Sequence, residues 1–213
     1  MPLPRRLLFA SIAFAMLAFL VTVGERRPIE PTSGAYAPAV RAFAALAAFG
    51  MCVAWPLWRI AMPPAGWDRR RAALDLATLL IAFQAAFWPL HLVSGWTLAG
   101  AAAVDAVACG WAAAAGAIVA LASRRRIGAV TAGVAVLCVA AAGVALDGLR
   151  APWPWAALAG PFAAILEASA RRGTGPVAAI AAWPWAVAFA LWALALRSGS
   201  RRTGEVAGPA GIR

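Results

Sequence analysis

The feature that most constrains this chain is a series of mostly apolar runs, each about as long as a bilayer is thick and bounded chiefly by arginine, glycine or proline. They cover residues 7–23, 39–62, 72–93, 101–122, 127–146, 152–170 and 176–196. A spanning helix needs roughly 20 apolar residues, because the hydrocarbon layer is about 30 Å thick and each helical residue rises about 1.5 Å. Lipid offers no partner to an unpaired backbone group, and these runs are too long and too unalternating for barrel strands. The pattern therefore predicts an all-α, polytopic membrane protein of about seven transmembrane helices. The composition leaves no soluble alternative: 64 % of the residues are hydrophobic, 13 % are charged and the mean hydropathy is +0.80. Soluble domains are about half apolar and a quarter charged.

Residues 1–196 read as a single transmembrane helical domain. Residues 197–213 are rich in arginine and glycine, lack a hydrophobic period and read as a mobile tail. The opening segment has the charged start and apolar middle of a signal peptide. It lacks an A-x-A-like site before Gly24, so it reads as the first membrane anchor, with a cleaved signal as the alternative.

A net charge of +11 in a soluble domain would point to nucleic acid. Here every basic residue apart from His91 is arginine, and many cluster between the runs, at 5–6, 69–71, 124–126 and 171–172. That is the distribution of cytoplasmic loops. It predicts a bilayer and not nucleic acid as the partner, a bacterial inner membrane as the location and a cytoplasmic N-terminus. With seven crossings those clusters put ten arginines inside against seven outside. If 152–170 enters and returns without crossing, the split becomes twelve against five. Arginine counting thus prefers six spans plus one re-entrant segment. Run length prefers seven, because 152–170 ends directly on Arg171 and Arg172 like a span with its cytoplasmic stop, and an external C-terminus follows.

Tryptophan supports the same runs. Trp55, Trp58, Trp67, Trp88, Trp96, Trp153, Trp155, Trp183 and Trp185 lie in loops or toward run ends, where indole prefers the headgroup level. Trp111 is the mid-run exception. The near-identical PWPWA and AWPWA at 152–156 and 182–186 are explained by the enrichment of both residues at helix ends. Pro56 and Pro89 lie inside their runs and predict kinks.

The inventory of reactive groups is short. There is no lysine, which excludes a Schiff-base or P-loop lysine, and a single histidine, which excludes a bis-histidine haem within one copy. HExxH and GxSxG are absent. Cys52, Cys109 and Cys138 occupy separate runs without metal-ligand spacing and read as small buried hydrophobes. No catalytic residue, metal site or cofactor is inferred.

Asp75, Asp105, Asp147 and Glu167 all fall near run ends, where a carboxylate is cheap. Asp75 suits a helix amino end, and Glu167 faces Arg171 one turn on. Gln84 is the most deeply placed polar side chain, and seven residues at 100° each bring it within about 20° of His91 on one helix face. That face is expected to turn toward protein, for interhelical hydrogen bonding or a polar path. The short join after residue 93 predicts an antiparallel hairpin. On that basis His91, Asp105 and Asp147, with Arg150 as counter-ion, are expected to form a polar cluster at the outer face.

Three functions fit these residues. The first is a non-catalytic membrane subunit, an anchor or permease-like component of a larger complex, associated with other membrane subunits or with itself. The second is a small transporter or channel. The third is a redox subunit that binds quinone or haem with a partner chain.

Overall fold

The computed structural model describes residues 3–24, 35–62, 69–122, 126–148, 158–170 and 177–200, and every regular element among them is helical. Helix α1 (Leu3–Phe19) continues into a π-helical turn, Leu20–Gly24. Helix α2 (Ala37–Phe49), a second π turn (Gly50–Ala54) and α3 (Trp55–Ala61) form one continuous rod. Then follow α4 (Arg69–Ser94), α5 (Leu98–Ala122), α6 (Arg126–Gly148), the short α7 (Pro161–Ala170) and α8 (Val177–Ser200). Six rods are long and apolar enough to span a membrane: Arg6–Gly24, Ala37–Ala61, Arg69–Ser94, Leu98–Ala122, Gly128–Leu146 and Ala178–Arg197. The chain is an all-α, multi-pass helical membrane bundle. Helix α4 takes in all three arginines at 69–71; its 26 residues extend about 39 Å, so that turn stands beyond a hydrocarbon layer of about 30 Å. Helix α8 runs past the expected boundary at residue 196, and residues 201–213 lie outside the described residues.

Side-chain contacts fix which helix ends share a face. Arg59 of α3 pairs with Asp75 of α4 at 2.8 Å, so Ala61 and Arg69 lie together at what we term the arginine face. Arg69 Nη1 donates to Leu196 O at 3.4 Å, which brings the carboxyl end of α8 to that face. Trp185 Nε1 donates to Ala106 O at 2.9 Å and Trp192 Nε1 to Ala113 O at 3.0 Å. The two bonds have the same sequence offset, so α8 runs parallel to α5. Leu57 faces Gly133, placing the Arg126 end of α6 at the arginine face and its Gly148 end opposite. The π turn Leu20–Gly24 packs against α2, which leaves the amino end of α1 at the arginine face too.

The run 152–170 departs from a seventh crossing. A Cβ on Gly160 would lie 2.6 Å from Val139 O and 3.3 Å from Gly143 N. Those residues are roughly 7–14 Å back from the Gly148 end of α6. Helix α7 then climbs to the level of Arg41, whose Nη2 donates to Ser169 O at 2.9 Å. Arg41 is one turn into α2 from its Ala37 end, at the face opposite the arginines. Helix α7 has ten residues, about 15 Å, half of what a crossing needs. It therefore starts at mid-depth and returns to the face from which it came. The expected seventh crossing is corrected accordingly: the described chain begins and ends at one face, the six-span arrangement that the arginine count prefers.

Helix α5 is the central rod, with buried residues on every side along most of its length. Its alanines and glycines permit this, because in lipid the attraction between helices is close packing and small residues let backbones approach. Pro184 and Trp185 of α8 lie over Gly110, and Leu76 of α4 over Gly116. The π turn before α3 has a local cause. Pro56 lacks an N–H and its ring crowds the carbonyl four residues back. The backbone widens instead, and Trp55 N–H reaches Gly50 O, five residues back. Phe14 of α1 sits directly on Gly50, where a Cβ would lie 2.6 Å from its ring.

Candidate functional site

Polar side chains inside a bilayer need partners, and hydroxyls find them at home: Thr22 Oγ1 donates to Ala18 O at 2.7 Å and Thr78 Oγ1 to Leu74 O at 2.8 Å. Amides and carboxylates must look to another helix. Helices α4 and α5 are joined at residues 95–97, where Gly95 adopts a φ of 67°, a backbone state that glycine enters without penalty. Ser94 Oγ accepts from Trp96 N at 3.2 Å, and Thr97 Oγ1 caps the start of α5 by accepting from Gly100 N at 3.1 Å. This tight hairpin sets the register of the two rods. Gln84 is ten residues from the end of α4 and Asp105 seven from the start of α5, about 15 and 10 Å deep.

At that depth the two meet. Gln84 Nε2 donates to Asp105 Oδ1 at 2.6 Å and lies 3.2 Å from Cys109 Sγ. The Cys109 thiol donates to the same Oδ1 at 3.3 Å. On the other side Trp88 Nε1 donates to Gln84 Oε1. The result is an indole–amide–carboxylate chain with a thiol at its end, half-buried between α4 and α5. His91 stands beyond Trp88, toward the boundary. Its Nδ1 is 2.5 Å from Trp88 O, and its ring meets the Trp88 ring edge-on with centroids 5.5 Å apart. The structure thus brings Gln84, not His91, to Asp105, because the amide is level with the carboxylate while His91 is nearly two turns nearer the surface. Asp147 closes α6 with its side chain outside the described atoms, and Arg150 lies outside the described residues.

A second buried polar pair was not foreseen. Arg59 and Asp75 are 5 % exposed each, a true buried ion pair between adjacent spans. Sequence reasoning passes over Arg59 and Arg41 because each is a single charge inside a long apolar run; that interruption is the signal available. Asp75 is thus held by the preceding span as well as by its place near a helix start. Arg41 supplies the carbonyl partner that the end of α7 lacks. Trp185 departs from the headgroup reading, since its indole N–H, like that of Trp192, is used on an α5 carbonyl. On the opposite side of α4 from Gln84, a cavity of about 290 Å³ is lined by Phe14, Phe43, Trp55, Leu79 and Phe83 among other residues, none of them titratable.

No protein-family model matches this sequence, and no curated protein or solved structure is significantly similar to it. Function is therefore argued from the residues alone.

Proposed function

We propose that this chain is a permease-like membrane component that passes a proton or a small cation, alone or beside copies of itself or other membrane subunits. Asp105 carries the reading. It lies about 10 Å inside its end of α5, short of the span's centre, where a carboxylate costs about 2.5–3.5 kcal/mol on insertion scales; ionisable groups within spans mark ion paths and proton relays. Asp105 also differs from a buried structural acid such as Asp75, because its recorded partners, Gln84 and Cys109, are neutral donors. Helix α7 supports the same reading, since half-helices ending at mid-depth are a recurrent feature of transporters. The bacterial inner membrane and a cytoplasmic N-terminus belong to the proposal, supported by the twelve-to-five arginine split of the six-span arrangement.

The test is flux in sealed vesicles loaded with a pH-sensitive dye, under imposed proton, Na⁺ or K⁺ gradients. Wild-type protein is expected to dissipate one of these gradients at least about tenfold faster than empty vesicles, a difference of about 1.4 kcal/mol in barrier. Asp105→Asn is expected to fall to the empty-vesicle rate while eluting as the same monodisperse species. Wild-type vesicles no leakier than empty ones would overturn transport and leave the anchor or subunit reading.

A further inference from the structure

The donors around Asp105 have a fixed orientation, and that orientation discriminates between the ions a carboxylate can take. An indole N–H only donates, so Trp88 Nε1 requires the oxygen of the Gln84 amide to face it. The planar amide then turns its NH₂ the other way, toward Asp105 Oδ1 at 2.6 Å and Cys109 Sγ at 3.2 Å. The thiol adds its own hydrogen to Oδ1. Every contact recorded on this carboxylate presents a hydrogen to it.

A bound metal cation such as Na⁺ or Li⁺ asks for the reverse, a shell of oxygens. The oxygen of the neighbouring amide, Gln84 Oε1, is held away by Trp88. Recruiting it means turning the amide over, which leaves the indole N–H without an acceptor and points the cation's own neighbour away from the thiol. A proton needs no such shell. On Oδ2 it neutralises the carboxylate while Gln84 and Cys109 keep donating to Oδ1. We propose that Asp105 is a proton-binding site closed to metal cations, with Gln84 and Trp88 as the positioning residues that set this selectivity. The inference rests on reading Asp105 as the ion-handling group, but its test does not depend on flux.

The other titratable groups of the surrounding elements are placed as follows. Cys109 shares α5 with Asp105, and on α4 His91 lies beyond Trp88, with Asp75 and the arginines at 69–71 at the far end of that helix. Cys52, in the π turn before α3, lies near Cys109, and Arg41 of α2 bonds Ser169 O. Arg59 of α3, Arg126 of α6 and Arg197 of α8 belong to the arginine face; α6 also carries Cys138 and, at its other end, Asp147, and α7 carries Glu167.

The full chain, purified in mild detergent, is treated with dicyclohexylcarbodiimide. The reagent adds to a protonated carboxyl: the proton passes to one nitrogen as the carboxyl oxygen bonds to the central carbon. Modification of the peptide containing Asp105 is read by mass spectrometry, with Asp105→Asn as the control that removes the signal. Labelling is expected to fall as the pH is raised, because the reagent adds only to the protonated carboxyl. It is expected to stay the same when NaCl or LiCl replaces choline chloride at equal ionic strength. In Trp88→Phe the amide is free to turn, and Na⁺ should then lower labelling several-fold. Protection of the wild type by Na⁺ or Li⁺, or labelling that ignores pH, would overturn the proposal. The comparison of Na⁺ with choline in the wild type decides the matter even if Trp88→Phe does not purify. Vesicles without flux, together with pH-dependent and Na⁺-insensitive labelling, would end the permease reading and keep the proton site.

Discussion

Removing the carboxylate of Asp75 leaves the Arg59 guanidinium buried at 5 % exposure facing a neutral amide. Breaking a buried pair from one side costs about 3–5 kcal/mol, because the surviving charge stays desolvated, whereas replacing both partners by apolar groups is often neutral. Asp75→Asn is therefore expected to lower unfolding stability in detergent by about that amount, and Arg59→Leu combined with Asp75→Leu to recover most of it. A loss in the double variant equal to the sum of the Arg59→Leu and Asp75→Leu losses would show that the pair contributes no coupling. The same logic separates the two intramembrane carboxylates. Asp75 is matched by a cation and reads as structural; Asp105 is matched by an amide and a thiol, both neutral, and keeps a second oxygen with no hydrogen-bond partner among the described residues.

At the level of single helices, α7 has few resources of its own. A ten-residue helix is marginal alone, since nucleation is costly and stability comes from packing. It is held at its start by the close approach of Gly160 to α6 and at its end by Arg41. Arg41→Ala is expected to cost about 1.5–3 kcal/mol, the range for a hydrogen bond to a charged group. Amide exchange should rise across 161–170 and stay slow in α5; unchanged exchange in α7 would show that the Arg41 bond does not hold it. The contact of α5 with α8 gives a sharper contrast. A Cβ on Gly110 would sit 2.7 Å from Pro184 Cβ and 3.2 Å from Trp185 N, groups that cannot rotate away. At Gly133 the nearest atom is Leu57 Cδ2 at 3.8 Å, an ordinary contact. Gly110→Ala should destabilise by about 1–3 kcal/mol through overpacking, and Gly133→Ala should be neutral or gain up to about 1 kcal/mol from helix propensity. The reverse order in a thermal unfolding series would contradict the packing described for α5.

For the whole molecule the measurable quantity is topology. The ends of α1 and α8 share the arginine face, and Ala170 and Val177 share the opposite one. A reporter active only in the cytoplasm, fused after Arg213, is expected to be active. Thr174→Cys is expected to react with an impermeant thiol reagent added from outside intact cells. A silent reporter together with an unreactive Thr174→Cys would contradict six spans with a cytoplasmic N-terminus. Both variants should remain in the pellet after alkaline carbonate washing, as integral proteins do.

The six long helices and their approximate ends were legible in the sequence, though not the fate of 152–170, and so was the preference of arginine for one face. Both follow from the solvent: a bilayer dictates how long an apolar segment must be and forces its backbone to pair with itself, so local composition suffices. Gln84 was likewise legible as a protein-facing group, because a lone amide deep in an apolar run must find a partner on another helix. Its partner was not. Whether Asp105 meets His91 or Gln84 depends on the depth at which two helices align, and that is set by a three-residue turn and by the seating of Leu76 on Gly116. The pairing of Arg59 with Asp75 and the return of 152–170 to its own face are decisions of the same kind. Each joins residues from separate spans, and only the packed bundle specifies which spans are neighbours and at what height.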